Sequence, residues 1–175
     1  MIAVGRLWPQ KGYRDLIWGG ELLRTADPQA TLVIIGDGPE REQLLHYRDQ
    51  VLAQHAVRLV GHRTDATELM SGADVVWNGS LYEGQSNTIL EAMSLGIPVI
   101  ASDIPGNRDL IVPGETGFLF QLGDTAQLTK QTCSLFSDAA KAEAMGAAAR
   151  CRIAAEFSVD QMVRKHETLY QNTVA

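Results

Sequence analysis

Ala73-Asp74-Val75-Val76-Trp77, then Tyr82-Glu83-Gly84-Gln85-Ser86-Asn87-Thr88-Ile89-Leu90-Glu91-Ala92-Met93, then Val99-Ile100-Ala101-Ser102, is the stretch on which the fold of this chain turns. The first and last pieces are short, apolar and rich in β-branched residues, so they read as buried strands. Between them Leu90, Met93 and Leu95 recur at helical spacing until Gly96 and Pro98 end the pattern. The order is strand, loop, helix, strand. It places Gly84 to Asn87 at a helix N-terminus, where free backbone N–H groups and the positive end of the helix dipole favour a phosphate. Glu83 stays in the loop, and Glu91 lies one turn into the helix on the face of Asn87. Carboxylates accept hydrogen bonds from hydroxyls, so a phosphate held between two of them points to a ligand that is phosphate and polyol together, such as a nucleotide-sugar. Asn87 as a simple helix cap and Glu91 as a solvated helix residue satisfy the same pattern, and both readings stand at this point.

Upstream, Met1-Ile2-Ala3-Val4 reads as a first strand and leads into Gly5-Arg6-Leu7-Trp8-Pro9-Gln10-Lys11-Gly12, a glycine-bracketed loop before a helix from Tyr13 to Thr25. Arginine supplies a planar fork and lysine a mobile point charge, a pair suited to a pyrophosphate, although two solvated cations would look the same. The loop is not a Walker A loop, because Lys11 precedes the last glycine and neither Ser nor Thr follows it. Thr31 to Ile35 is a second strand, and Gly36-Asp37-Gly38-Pro39 follows, with Pro39 expected to open a helix that runs to about Ala53. Val57 to Gly61 is a third strand, and His62-Arg63-Thr64-Asp65 leads into a short helix from Ala66 to Ser71, with Asp65 a candidate cap.

Downstream of Ser102, the loop Asp103 to Asp109 precedes a helical turn, and Gly114 to Phe120 reads as a sixth short strand. Helices are expected from Asp124 to Phe136, from Asp138 to Ala155, and over 158–175. In the last of these Ser158 is the natural N-cap, and Val159, Met162, Val163, His166, Leu169 and Tyr170 share one stripe. His166 reads there as a core-edge histidine.

Strands alternating with helices predict an α/β fold: a three-layer, doubly wound, Rossmann-like parallel sheet of about six strands with helices on both faces. If the strand order is 3-2-1-4-5-6, strands one and four are neighbours at the switch point, where ligands bind at the carboxyl ends. Arg6 and Lys11 would then face Glu83 and Glu91 across one crevice.

With 175 residues, 45% of them hydrophobic, and 16 glycines, the chain is long enough for one domain with its own core, taken as 1–175. A formal net charge of -6 argues against nucleic-acid or anionic-membrane binding, which call for basic surfaces. Cys133 and Cys151 lack metal-ligand spacing, so no disulfide or metal site is expected. No signal peptide or membrane-spanning apolar run is visible, so a cytoplasmic location is expected.

Glu83 to Glu91, with the continuation Glu91-Ala92-Met93-Ser94-Leu95-Gly96-Ile97-Pro98-Val99-Ile100-Ala101-Ser102, resembles the E-x7-E motif of the glycosyltransferase family 4 (group 1) enzymes of the GT-B fold. Gly5 to Gly12 resembles the G-R-L-x-x-x-K-G element of the same family. Gln85 departs from the pattern, since relatives often carry a large apolar residue there. The likeness runs from Gly5 to Tyr170 and covers the C-terminal, donor-binding half of such an enzyme. It implies transfer of a sugar from a nucleoside diphosphate sugar to an acceptor with retention of configuration.

By matching position, Arg6 and Lys11 would neutralise the leaving diphosphate and count with Glu83 as the catalytic residues, Gly5 would bind the donor, and Glu91 would bind the ribose hydroxyls. Gly84, Gln85, Ser86 and Asn87 would reach phosphate or sugar, and Glu83 the sugar. His62 and Arg63 would lie beside the base. No D-x-D occurs, and the resemblance implies a site that needs neither metal nor cofactor. The partner it implies, besides the donor, is an N-terminal acceptor-binding domain of the same parent chain, and the abrupt start on a strand predicts a domain taken from a longer protein. The domain alone is expected to be inactive, and any membrane association of the parent would not run through it. An epimerase or other GT-B enzyme using the same donor, and a non-catalytic nucleotide-binding module, remain open alternatives, as do the base, the sugar and the acceptor.

Overall fold

The structure, a computed structural model, describes residues 1–174. Six strands, β1 (Ile2–Val4), β2 (Leu32–Ile35), β3 (Val57–Leu59), β4 (Val76–Asn78), β5 (Val99–Ser102) and β6 (Phe118–Phe120), form one sheet in the order β3-β2-β1-β4-β5-β6. Every pairing is parallel, with Val4 opposite Ile35, Ile2 opposite Val76, and Ile100 opposite Phe118. The expected doubly wound order is therefore the observed one. It makes β1 and β4 neighbours although they lie far apart in the chain.

Among the described residues eight helices accompany the sheet: α1 (Tyr13–Ala26), α2 (Arg41–Gln50), α3 (Ala66–Ser71), α4 (Asn87–Ser94), α5 (Pro105–Arg108), α6 (Thr125–Phe136), α7 (Ala139–Glu156) and α8 (Val159–Val174). Alternate strand residues point to opposite faces, and the sequence divides its apolar side chains accordingly. Ala3, Ile34, Trp77, Ile100 and Phe120 join one core with Leu16, Ile17 and Leu23 of α1 and Leu128 and Leu135 of α6. Ile2, Ile35, Val76, Val99 and Ala101 join the other with Met70 of α3, Ile89, Ala92 and Met93 of α4, and Ala149 of α7. Strands buried on both faces read as near-continuous apolar runs, which is why the sequence shows no polar alternation in them.

Asp124 and Asp138 start α6 and α7 by accepting hydrogen bonds from the backbone N–H groups of Gln127 (2.8 Å) and Lys141 (3.0 Å). The alanine-rich α7 packs closely on the end of α4: a β-carbon on Gly146 would lie 1.9 Å from the carbonyl oxygen of Gly96.

Several expectations need correction. Pro39 does not open α2, which begins at Arg41 and ends at Gln50; Leu52, at φ 60°, breaks the chain there, and Ala53–His55 is a separate turn of 3-10 helix. The fourth strand starts at Val76 rather than Ala73, and the sixth covers only Phe118–Phe120. On α8, Ser158 does cap, accepting from the Gln161 N–H at 3.3 Å, but His166 is not at a core edge. Val159, Met162, Val163, Leu169 and Tyr170 are all exposed, and His166 is exposed too, its Nδ1 at 2.8 Å from the carbonyl oxygen of Met162. Cys133 and Cys151 are free thiols. Among the described residues no helix is long and apolar enough to cross a membrane.

Candidate functional site

The loop after β1 and the loop after β4 leave the sheet side by side at its carboxyl edge, and the backbone ties them together. Gly12 closes the first loop in a left-handed conformation, φ 61°. A β-carbon there would lie 2.0 Å from the carbonyl oxygen of Gly79, so only glycine admits this approach. The Leu81 N–H donates to the Gln10 carbonyl oxygen at 2.7 Å, and the Tyr82 hydroxyl to Gln10 Oε1 at 3.2 Å. Thr88 Oγ1, in the first turn of α4, donates to the Val4 carbonyl oxygen at 3.1 Å, so the N-terminus of α4 is fastened to the end of β1.

Across this junction Lys11 Nζ donates to Glu83 Oε1, 72 residues away in the chain. The Ser80 hydroxyl donates to the same oxygen at 2.8 Å. The Lys11 and Glu83 side chains are only 19% and 11% exposed, so the pair is less screened than a surface ion pair. Tyr13 lies beneath, 3% exposed; burial, and secondarily the Glu83 carboxylate, push its phenol above the ordinary range.

Of the residues singled out in the sequence, Gly5, Arg6 and Lys11 lie on the β1 side of this crevice, and Glu83, Gly84, Gln85, Ser86, Asn87 and Glu91 on the β4 side. Arg6 is exposed, with its guanidinium 5.8 Å from the centre of the Trp8 ring. Ser86 is the N-cap residue of α4 but its side chain does not cap; its Oγ, buried, accepts from Asn78 Nδ2 at 3.1 Å. Asn87 and Glu91 are exposed on α4. His62 and Arg63 follow β3 at the same edge of the sheet, two strands from β1. Arg63 is engaged with Asp65, Nε to Oδ1 at 2.7 Å, and this pairing holds the Asp65 carboxyl below its ordinary range and takes the place of a cap on α3.

The sequence reading missed the polar residues behind the crevice. Asn78, Ser80, Ser102 and Asn107 are all buried, and Gly106 packs against the loop itself: a β-carbon on it would lie 2.3 Å from the Gly84 carbonyl oxygen and 2.5 Å from that of Glu83. Their signal was position. Polar side chains at the buried carboxyl ends of strands have to find partners, and here they find one another.

A cavity of about 580 Å3 opens at the other end of the sheet, between Met1, Thr31 and Asp74 before the strands and Leu135, Phe136 and Ala139 at the α6–α7 corner. The space enclosed between Lys11, Tyr13, Asn78 and Ser80 is only about 10 Å3, so the crevice floor is closed. Volume alone would favour the former. Strand direction favours the latter, since in open α/β sheets the backbone groups and helix N-termini that receive ligands gather at the carboxyl ends.

Fold and crevice together define a doubly wound α/β domain of the kind that forms the C-terminal domain of GT-B glycosyltransferases. The family model for group 1 glycosyl transferases matches residues 1–138, and the chain belongs to that family. It is 33% identical over 159 residues to the glycogen synthase of Mycobacterium tuberculosis, covering 90% of this chain and 38% of that protein. It is 31% identical over 174 residues to the Escherichia coli UDP-Gal:alpha-D-GlcNAc-diphosphoundecaprenol alpha-1,3-galactosyltransferase, covering 98% of this chain and 45% of that one. Among solved structures, Anabaena HepE, crystallised with UDP and with UDP-glucose, superposes with a TM-score of 0.87 at 28% identity, over 97% of this chain and 48% of HepE. The chain thus spans less than half the length of these relatives.

Proposed function

We propose that this chain is the donor half of a retaining glycosyltransferase, binding a nucleoside diphosphate sugar whose diphosphate is met by Lys11, Arg6 and the N-terminus of α4. The observation that carries this reading is the Lys11–Glu83 contact where β1 and β4 end, which brings a cation and a carboxylate to one point beside a helix N-terminus. Solved relatives crystallised with UDP and UDP-glucose support it. In transfer, the bond between the anomeric carbon and the phosphate oxygen breaks as the acceptor oxygen forms its own bond to that carbon. Negative charge grows on the departing diphosphate. Arg6 and Lys11 stabilise that charge without a metal ion. Glu91 would bind ribose hydroxyls, Glu83 the sugar, and Gly84, Gln85, Ser86 and Asn87 the phosphate or sugar, with His62 beside the base.

The length relation to the relatives supports an acceptor site on a separate N-terminal domain. In this reading the 175-residue chain binds donor and transfers nothing alone. The test is calorimetric titration with uridine, guanosine and adenosine diphosphates in the presence of chelator. Binding of at least one is expected; no heat from any of them at millimolar concentration would sink the reading.

A further inference from the structure

Behind Glu83, polar side chains at the carboxyl ends of β4 and β5 form one directional chain. Asn107, on α5, donates through Nδ2 to the Ser102 carbonyl oxygen at 2.9 Å and to Ser102 Oγ at 3.2 Å. Ser102 Oγ donates to the Ser80 carbonyl oxygen at 2.5 Å. The Ser80 N–H donates to Asn78 Oδ1 at 3.1 Å, so the Ser80 main chain is gripped on both sides and its hydroxyl is delivered to Glu83 Oε1. Chemistry fixes the direction. A carbonyl oxygen only accepts, so Asn107 presents Nδ2 to Ser102, and the single Ser102 hydroxyl proton is committed to Ser80. None of Asn78, Ser80, Ser102 and Asn107 is more than 7% exposed, so water does not compete for these bonds. Asn107 Oδ1 has no hydrogen-bond partner among the described residues, so what this side chain contributes runs through Nδ2. Gly106, beside it, presses on the Glu83 and Gly84 carbonyl oxygens, and the same short helix therefore constrains Glu83 through main chain and side chain alike.

We propose that Asn107, Ser102 and Ser80 are positioning residues that set the Glu83 carboxylate, occupying Oε1 jointly with Lys11 and keeping Oε2 available to accept a hydroxyl from the sugar of the donor. The proposal rests on the nucleotide-sugar reading of the crevice for its ligand, though not for the relay itself. Ser80 touches Glu83, whereas Ser102 and Asn107 act through Ser80. A carboxylate fixed at one oxygen loses less freedom when the other is engaged, so the relay acts on sugar recognition rather than on diphosphate binding.

Two measurements on the 175-residue chain test it. In the free protein, nitrogen-15 NMR follows hydrogen exchange of the Lys11 ammonium, and carbon-13 NMR the Glu83 carboxyl resonance. Ser80→Ala, Ser102→Ala and Asn107→Ala are each expected to speed the exchange and move the carboxyl resonance. With ligand, Ser80→Ala is expected to weaken UDP-glucose about tenfold while leaving UDP within about twofold of the unaltered chain. A merely structural role would weaken both alike. Equal weakening of the two ligands, or unchanged Lys11 and Glu83 signals in Ser80→Ala, overturns the relay. If the unaltered chain binds none of uridine, guanosine and adenosine diphosphate while the free-protein signals still respond, the relay stands and the nucleotide-sugar reading falls. Should Asn107→Ala fail to fold, Ser80→Ala, which deletes one oxygen, decides.

Discussion

Gly12 and Gly79 meet backbone against backbone, with room for no β-carbon between them: one placed on Gly12 would stand 2.0 Å from the Gly79 carbonyl oxygen. The contact joins the loop after β1 to the end of β4 and so sets the width of the crevice. Gly12→Ala is expected to destabilise the domain by more than the roughly 1–2 kcal/mol that a left-handed conformation costs an L-residue, because the clash adds to it. Gly123→Ala, at φ 81° in open space, isolates the conformational part. Urea midpoints of the two variants give the comparison, and equal losses would show that the close approach is not tight.

Lys11→Ala is expected to weaken nucleoside diphosphate binding by about 1.5–3 kcal/mol, the range for a hydrogen bond to a charged group. Glu91→Ala should weaken nucleotides and spare inorganic pyrophosphate, since its proposed partner is ribose. Titrating both variants with both ligands separates the roles. Parallel losses for pyrophosphate and nucleotide in Glu91→Ala would show the assignment to be wrong.

Tyr13 gives the fold an alkaline limit. Burial, with the Glu83 carboxylate adding to it, raises its phenol in the folded state above the ordinary value of about 10 kept when unfolded. Above that value the unfolded chain binds fewer protons than the folded one. Its contribution to stability is therefore complete below about pH 10 and declines as pH rises beyond it, by at most about 1.4 kcal/mol per pH unit. Tyr13→Phe should flatten this decline between pH 9 and 11 in denaturant titrations. An unchanged slope would mean that Tyr13 is not the group responsible.

Trp77 lies in the core with its Nε1–H donating to Thr132 Oγ1 at 3.1 Å, and Thr132 Oγ1 donates onward to the Leu128 carbonyl oxygen at 2.9 Å. Thr132→Val keeps the shape and strands a buried donor, so a loss of about 1–3 kcal/mol is expected. Adding Trp77→Phe should then change stability by less than it does in the unaltered background. A double-mutant cycle measured by urea denaturation checks the coupling.

The strand order was legible because each strand of this sheet is a compact apolar run followed by a turn and a helix, and the doubly wound arrangement leaves few alternatives for such a series. Lys11 and Glu83 were legible as a facing pair for the same reason. Boundaries were less so. Asp74 belongs to the turn before β4, and only pairing with β5 shows that the strand runs on to Asn78. Leu52 adopts a positive φ without being glycine or asparagine, so nothing in its identity announces the end of α2. The Asn107–Ser102–Ser80 relay was invisible, because its members come from different elements and their local spacing carries no pattern. The amphipathic character of α8 could be read, whereas its exposure depends on what lies alongside it in space.

The Lys11–Glu83 contact bears on how fast a ligand arrives. At rest the crevice holds Arg6 and Lys11 against Glu83 and Glu91, which sum to zero, on a chain whose formal net charge is -6. A polyanion approaching from a distance thus meets a mildly repulsive field rather than an attracting one, and at the crevice it finds Arg6 exposed without an ion-pair partner among the described residues, while Lys11 is shared with Glu83. Capture at the proposed diphosphate site is then a short-range event, and its association rate should rise slightly with added salt, opposite to the fall seen where a basic groove draws its ligand in.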